Sequence, residues 1–358
     1  AQGEATPRPL TLEESVTLAL QHHPTLREAG SRTIGAQASI DRTRAAQQVQ
    51  LKADSRYTTV SEVPTITSAG GIPMVLGHDT TWLTTLMAQK VIYSGGRLEA
   101  LIRQTTSAAQ ATAALQARTR QQVTFGAERA FFLLLAAQQE REVAQQALRT
   151  AEDHRAVARA RYAARAAAQF DVLRADVQVE EAQQEDIQAV GNIQAAQAAL
   201  VQALGVNEGV FIAVGATTPT VAPLPTLEKL QQQAAAMRPE LRAVDWQIRA
   251  AESAISADRA ERRPTVSLLA EYQLVSPESP LLLTRWSVGI AMSLPLLDGG
   301  ATRAKQQEAT AQHDEIQATQ EALHQAVVAE VTQSYAQLLS AKGQITVAGK
   351  RVEQSEEM

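Results

Sequence analysis

The sequence predicts a mainly helical chain with a small β part, built as two copies of one half-molecule. Three observations carry that expectation: an internal duplication, a 67-residue stretch of helix formers free of proline, and four β-rich stretches. The duplication is the strongest. Leu12-Glu13-Glu14, Ala19-Leu20 and Pro24-Thr25-Leu26-Arg27 recur 215 residues later as Leu227-Glu228-Lys229, Ala234-Ala235 and Pro239-Glu240-Leu241-Arg242, and the spacing still holds at Tyr57 and Tyr272. A second stretch repeats at 204 residues: Trp82 with Trp286, Gly95-Gly96 with Gly299-Gly300, Phe131 with Tyr335, and Leu134-Leu135 with Leu338-Leu339. The spacing drops by 11 because the segment between Tyr57 and Trp82 is longer than its counterpart. Solenoid repeats run roughly 20–50 residues, so a period this long marks a duplicated half-molecule.

Residues 11–50 read as helix, opened by Thr11 as N-cap with Glu14 three residues on, a capping box, and broken near His22-His23 by Pro24. From Leu51 the rhythm turns to β-formers (Tyr57, Thr58, Thr59, Val60). A loop holding Pro64, Gly70, Gly71, Pro73 and Gly77 follows, and then a second β-run over 80–93. Residues 97–163 contain Gly126 as their one glycine; as a helix they would extend roughly 100 Å, a length usual for a coiled coil or helical barrel. After a break at 165–169, a helix over 171–204 is closed by Gly205. A Gly/Thr/Pro-rich connector covers 206–226, and a third helix, broken at Pro239, runs to Arg263 before Pro264. The helix after the turn and the one from 238 to 263 together nearly equal the uninterrupted 67-residue run, so the two could stack end to end beside it. The second copy then gives strand 265–275, a loop over 276–283, strand 284–295, Asp298-Gly299-Gly300, and helix from Ala301. Divisions are expected at 1–50, 51–96, 97–205, 206–237, 238–264, 265–300 and 301–358.

Composition excludes several functions. Aromatics are 4% while Ala, Gln, Glu, Arg and Leu dominate, the signature of long helices packed through small residues. A net charge of −5 with no basic block speaks against a nucleic-acid partner. Without cysteine, disulfides and thiolate chemistry are out. The start, Ala1-Gln2-Gly3-Glu4, has no charged region followed by an apolar run, as in a mature form or a chain that never had a signal peptide. The apolar run at 130–137 is far short of the roughly 20 residues of a spanning helix.

The strands point to lipid by another route. Each is about 9–12 residues, the span of a tilted membrane strand. In 284–295 the alternation is clean: Trp286, Val288, Ile290, Met292 and Leu294 share one face, and Arg285, Ser287, Gly289, Ala291 and Ser293 the other. A soluble sandwich strand could alternate likewise. Four strands cannot close a barrel, and open edges are not tolerated in lipid, so two or three copies would have to contribute to one barrel.

The residues then carry a resemblance. The paired Leu-Glu-Glu … Pro-x-Leu openings, the Gly-Gly ending each hairpin, and Tyr162 … Phe170-Asp171-Val172-Leu173-Arg174-Ala175 resemble the TolC family of outer-membrane efflux proteins across nearly the whole chain. The resemblance implies a homotrimer with a twelve-stranded barrel in outer-membrane lipid. It implies a long α-helical tunnel through the periplasm of a Gram-negative bacterium, docked to a periplasmic adaptor and an inner-membrane transporter. Such a chain would be the passive exit duct of a tripartite efflux pump or type I secretion system, not an enzyme. Trp82, Trp286, Val288, Ile290 and Met292 would face lipid, Arg285, Ser287 and Ser293 the lumen, and Ala164, Arg165, Ala166 and Asp171 would form the adaptor-docking tip. Two departures stand out. Arg165 replaces the family's tip glycine, so the positive φ that glycine supplies must be made otherwise; Ala168 replaces a frequent serine. From Gly96 to Gly205 there are 110 residues but from Gly300 to Met358 only 59, so by this internal ruler about 51 residues, the second tip and its return helix, are expected to be missing.

No cofactor or metal is expected. His22 and His23 diverge by about 100° on a helix, and His313 and His324 lie three turns apart. Asp153, His154 and Arg155 read as a surface helix cluster. The Gly-Gly turns lack phosphate-loop spacing. Glu353, Glu356 and Glu357 read as a solvated face. A non-transport periplasmic coiled-coil structural protein is the alternative, one with no use for four span-length strands.

Overall fold

The computed structural model describes residues 8–67, 70–71, 73–75, 79–215, 224–277 and 283–356. Gly77, residues 216–223 of the connector, residues 278–282 of the second hairpin's loop, and Glu357 lie outside the described residues. In chain order the elements are β1 (Arg8–Leu10), α1 (Leu12–His22), α2 (Pro24–Ala45), β2 (Gln50–Thr59), β3 (Thr65–Thr67), β4 (Pro73–Val75), β5 (Thr80–Tyr93), α3 (Arg97–Ala163), α4 (Gln169–Leu204), β6 (Phe211–Ala213), α5 (Leu227–Met237), α6 (Pro239–Ala260), β7 (Thr265–Pro277), β8 (Leu283–Ser293) and α7 (Ala301–Glu356). The uninterrupted helix runs over the 67 residues expected of it.

Boundaries differ where neighbours decide them. Helix α2 stops at Ala45, not 50: Ala46, Gln47 and Gln48 donate three residues back, a tightened turn that ends the helix. Helix α6 stops at Ala260, not Arg263: Glu261 and Arg263 donate three residues back, a tightened last turn ahead of Pro264. Strand β8 ends at Ser293, since Pro295 has no N–H for a ladder. The loop after β2 holds a small hairpin, β3 against β4, pairing Thr65↔Val75 to Thr67↔Pro73.

The chain forms two compact units: residues up to Ser31 with Leu115–Thr226, and Arg32–Ala114 with Leu227 onward. In the first unit, β1 pairs parallel to β6 and brings Leu10, Phe211 and Ala213 into a core with Phe131, Leu134, Leu200 and Leu204. Thr11 caps α1 as expected: its hydroxyl accepts from the Glu14 N–H at 3.3 Å and Glu14 accepts from the Thr11 N–H at 3.0 Å. Gly205 ends α4 at φ 68°, and a Cβ there would meet the His23 Cα at 2.6 Å, so the chain crossing demands glycine.

In the second unit, α5 and α6 pack on α7. Gln231 donates to Thr332 at 3.1 Å, Gln320 to Asp245 at 2.6 Å, and Arg238 bridges Glu240 and Glu330 across the α5–α6 break. Ala100, Ala257, Ala260 and Ala309 are buried; small side chains let helices approach closely, which is why so few aromatics are needed. Strands β2, β5, β7 and β8, in that order, make one antiparallel sheet.

Candidate membrane face and hairpin tip

Strand register decides which side chains share a face, because directly opposed residues point the same way. Tyr57 pairs with Trp82, Ala53 with Leu86, and Leu86 in turn with Tyr272, which pairs with Trp286. Along β8 the same face continues: Val288 opposes Ala270, Ile290 opposes Leu268, and Met292 opposes Val266. Trp82 therefore lies on the side of Trp286, Val288, Ile290 and Met292. That side is a mainly apolar surface left open by the chain, interrupted by Lys90 opposite Leu268 and by Ser55, Thr84 and Ser276, with Ile290 71% exposed. The other side carries Arg285 opposite Gln273, Ser287 opposite Glu271, and Ser293 opposite Thr265, with Lys52, Asp54 and Arg56 in β2. Polar contacts run along it: Lys52 to Asp54 at 2.9 Å and Gln273 to Glu271 at 2.6 Å. A sheet with one mainly apolar and one mainly polar face can separate hydrocarbon from water.

The apolar face also satisfies its own polar handle. The Trp82 indole N–H donates to Ser55 Oγ at 2.7 Å, Ser55 lies 3.0 Å from Thr84 Oγ1, and Tyr57 meets Trp82 edge-on at 6.3 Å. An indole N–H kept from water needs such an acceptor, and Ser55 supplies it although Trp82 itself is exposed. Sequence reading missed Tyr57, Leu86 and Tyr272 as members of this face. The signal was there, since Tyr57 and Tyr272 are repeat partners, but Leu83 and Met87 on the polar side blur the alternation of β5.

At the sheet's exit, Gly95 and Gly96 have φ of 66° and 89°, and Gly299 and Gly300 have 62° and 91°. Each pair follows a residue whose side chain caps the helix that comes next. Ser94 Oγ accepts from the Leu98 N–H at 3.1 Å and opens α3. Asp298 accepts from the Gly300 and Thr302 N–H groups, both at 3.0 Å, and from the Thr302 hydroxyl, and opens α7. These bonds, the Thr302 hydroxyl first, hold the Asp298 carboxyl down to about 2. Glu261 ties the two helix starts together, reaching Arg97 at 3.3 Å and Lys305 at 2.9 Å. Burial, and then the Glu261 charge, raise Asp258.

Between α3 and α4 the turn is a Schellman motif: Ala166 N–H donates to Arg161 C=O at 2.8 Å and Arg165 N–H to Tyr162 C=O at 2.9 Å. Arg165 occupies the left-handed position at φ 57°, the one non-glycine with positive φ among the described residues. The positive φ that the departure from glycine left unassigned is thus taken by Arg165 itself. Ala164, Arg165 and Ala166 lie in this exposed turn, and Asp171, also exposed, lies in the first turn of α4. Asp171 is engaged locally, accepting from the Ala168 N–H at 3.1 Å, while Ala168 has no hydroxyl to return the bond, leaving half a capping box. Tyr162, Phe170 and Leu173 are exposed beside it, and Arg159 pairs with Asp176 at 2.7 Å one turn back.

Among the described residues no group of His, Asp or Glu is placed to hold a metal ion, and no helix is long and apolar enough to cross a membrane.

The pattern that defines outer membrane efflux proteins matches residues 16–206 and 230–358. The chain belongs to the outer membrane efflux protein family. Protein CyaE of Bordetella pertussis is 29% identical over 352 residues, 93% of this chain and 70% of that protein. Among solved structures, CusC superposes with a TM-score of 0.81 at 19% identity, covering 94% of this chain and 77% of CusC. The outer membrane protein VceC of Vibrio cholerae gives 0.78 at 20% identity, covering 97% and 83%. The fold is that of channels made of an α-barrel and a β-barrel to which a trimer contributes strands. This outer membrane efflux protein is a subunit of an outer-membrane exit duct for efflux or secretion and extends into the periplasm. That assignment displaces the structural coiled-coil alternative.

Proposed function

We propose that three copies enclose a passive duct whose wall is the four-stranded sheet, with Trp82, Trp286, Val288, Ile290 and Met292 against lipid and Arg285, Ser287 and Ser293 against the aqueous lumen. The observation that carries this reading is the register, which gathers Tyr57, Trp82, Leu86, Tyr272, Trp286, Val288, Ile290 and Met292 from all four strands on one side and most of the charged residues on the other. The Ala164–Arg165–Ala166 turn is the docking point for a periplasmic adaptor and, through it, an inner-membrane transporter. Asp171 serves by holding the turn, and Arg165, Tyr162 and Phe170 supply charge and apolar area to a helical partner. Catalysis has no part in this role: cargo moves through a hole, and the energy comes from the transporter.

These 358 residues include no cysteine, which makes the test direct. Current through Ser287→Cys channels in a planar bilayer should be blocked by a charged, water-soluble thiol reagent, and current through Ile290→Cys channels should not. Ile290→Arg should cost about 2–4 kcal/mol of barrel stability near the midplane, and Ser287→Arg should alter conductance while assembly stays intact. Equal block of both cysteine variants, or equal loss of assembly from both arginines, would overturn the assignment of the faces. For the tip, Arg165→Glu should abolish adaptor crosslinking and export while trimers still form; export at the wild-type level would remove the turn from the docking surface.

A further inference from the structure

The sheet ends in two open edges, β2 on one side and β8 on the other, and lipid does not tolerate open edges. The chain holds its own rule for joining one hairpin to the next. Hairpins β2–β5 and β7–β8 are the same hairpin twice. Every pair of the first, from Gln50↔Gln89 to Thr59↔Thr80, becomes a pair of the second, from Thr265↔Ser293 to Leu274↔Thr284, when the strands advance by the repeat spacings of 215 and 204. The junction between the copies is β5 against β7, where Leu86 opposes Tyr272. Advancing that junction once more replaces Leu86 by Ile290 and Tyr272 by a Tyr57 from another copy.

We infer that β8 of one copy pairs antiparallel with β2 of the next in the register Ile290 opposite the partner's Tyr57, which sets Met292 opposite Ser55 and Val288 opposite Thr59. The inference rests on the trimeric duct proposed above and adds the seam that closes it. Faces give an independent check. Ile290 and Tyr57 both lie on the apolar side, whereas any slip by an odd number of residues would turn one strand's apolar set toward the lumen. The same register makes every junction alike: along β5, the row of Tyr57 and Trp82 stands four residues from the row of Tyr272 and Trp286. No like charges face each other across the seam, for Asp54 meets Ser293 and Arg56 meets Ala291.

Disulfide trapping reads this register. Ile290→Cys with Tyr57→Cys in one chain, oxidised in outer-membrane vesicles, should give covalent trimer on non-reducing denaturing gels. Met292→Cys with Ser55→Cys is the second pair in the same register, should the first destabilise the barrel. A two-residue slip shifts opposing Cα atoms by roughly 6.6 Å along the strand, which takes them past the roughly 7 Å that a disulfide can bridge. Ile290→Cys combined with Ser55→Cys or with Thr59→Cys should therefore yield at least about tenfold less trimer. A slipped pair that traps more trimer than the matched pairs overturns the register and leaves the trimer standing. Absence of trapping from every pair, in protein whose light-scattering mass is that of three copies, overturns it too. A single-copy mass for the unoxidised protein overturns the trimeric duct instead.

Discussion

The two copies of the half-molecule keep one feature to the residue and let another go. Their short helices have equal lengths, 11 and 22 residues in each copy, their hairpins share one register, and their Gly-Gly turns agree in φ within 4°. Their long helices differ in surroundings. Phe131 and Leu134 of α3 are fully buried under β1, β6 and α4, whereas Tyr335 of α7 is half-buried and Leu338 is 42% exposed. Backbone geometry is preserved wherever a slip would turn a whole strand around; side-chain chemistry drifts wherever only packing is at stake. The caps show the same rule, since Ser94 and Asp298 do one job with different groups.

The largest effect should come from testing that packing difference. Phe131→Ala empties a closed core and should cost about 3–5 kcal/mol, while Tyr335→Ala, at the equivalent place, should cost about 1–2 kcal/mol. Urea unfolding of detergent-solubilised protein, followed by helical circular dichroism, measures both; equal costs would mean the assembled α7 is as well covered as α3. Next in size are the turns. Gly95→Ala places a Cβ 2.5 Å from the Arg263 Cβ, whereas Gly299→Ala meets nothing within 4 Å. Both pay for an alanine at positive φ, about 1–2 kcal/mol, and Gly95→Ala should lose about 1–3 kcal/mol more through the overlap. Similar losses would show that Arg263 yields without cost.

Helix limits were legible wherever a proline, a glycine or a cap marks them, as at Thr11, Pro24, Gly205 and Pro239. The end of α2 was not, because Ala45 to Gln48 carries no breaker and the stop comes from where the chain must enter β2. Alternation in β8 gave its two faces, but membership of Tyr57, Leu86 and Tyr272 in the apolar face depends on pairing across strands, which no local window contains. The duplication held that information in its two spacings. Arg165 was legible as an anomaly and not as a solution, since nothing in an arginine announces a positive φ.

The caps separate the copies by pH. Asp298, held down to about 2 by its Thr302 and Gly300 bonds, stays below the roughly 3.9 of a free aspartate. Its contribution is fully present above about pH 4 and is lost as pH falls through about 2. Ser94 does not titrate. Amide exchange protection at Thr302 should therefore fall between pH 4 and pH 2 relative to that at Leu98, and Asp298→Asn should flatten the difference. Parallel loss at both amides would assign the change to the whole sheet exit.

The smallest effect lies at the tip, where the first copy breaks its own rule. The Gly-Gly turns use glycine for every positive φ, but the α3–α4 turn asks Arg165 to adopt 57°. A side chain in the left-handed region costs about 1–2 kcal/mol, and glycine at the C′ position of a Schellman motif removes that penalty while loosening the unfolded chain. Arg165→Gly should therefore stabilise the hairpin by a net of about 0.5–1 kcal/mol, and Ala168→Ser, by completing the box with Asp171, should add about 1 kcal/mol. Amide exchange in α3 and α4 near the turn measures both. If Arg165 is kept for a partner, Arg165→Gly will slow exchange at the tip and still weaken adaptor crosslinking, while Ala168→Ser slows exchange and leaves crosslinking alone. Arg165→Gly channels that are both tighter at the tip and fully competent in export would show the arginine to be strain without purpose.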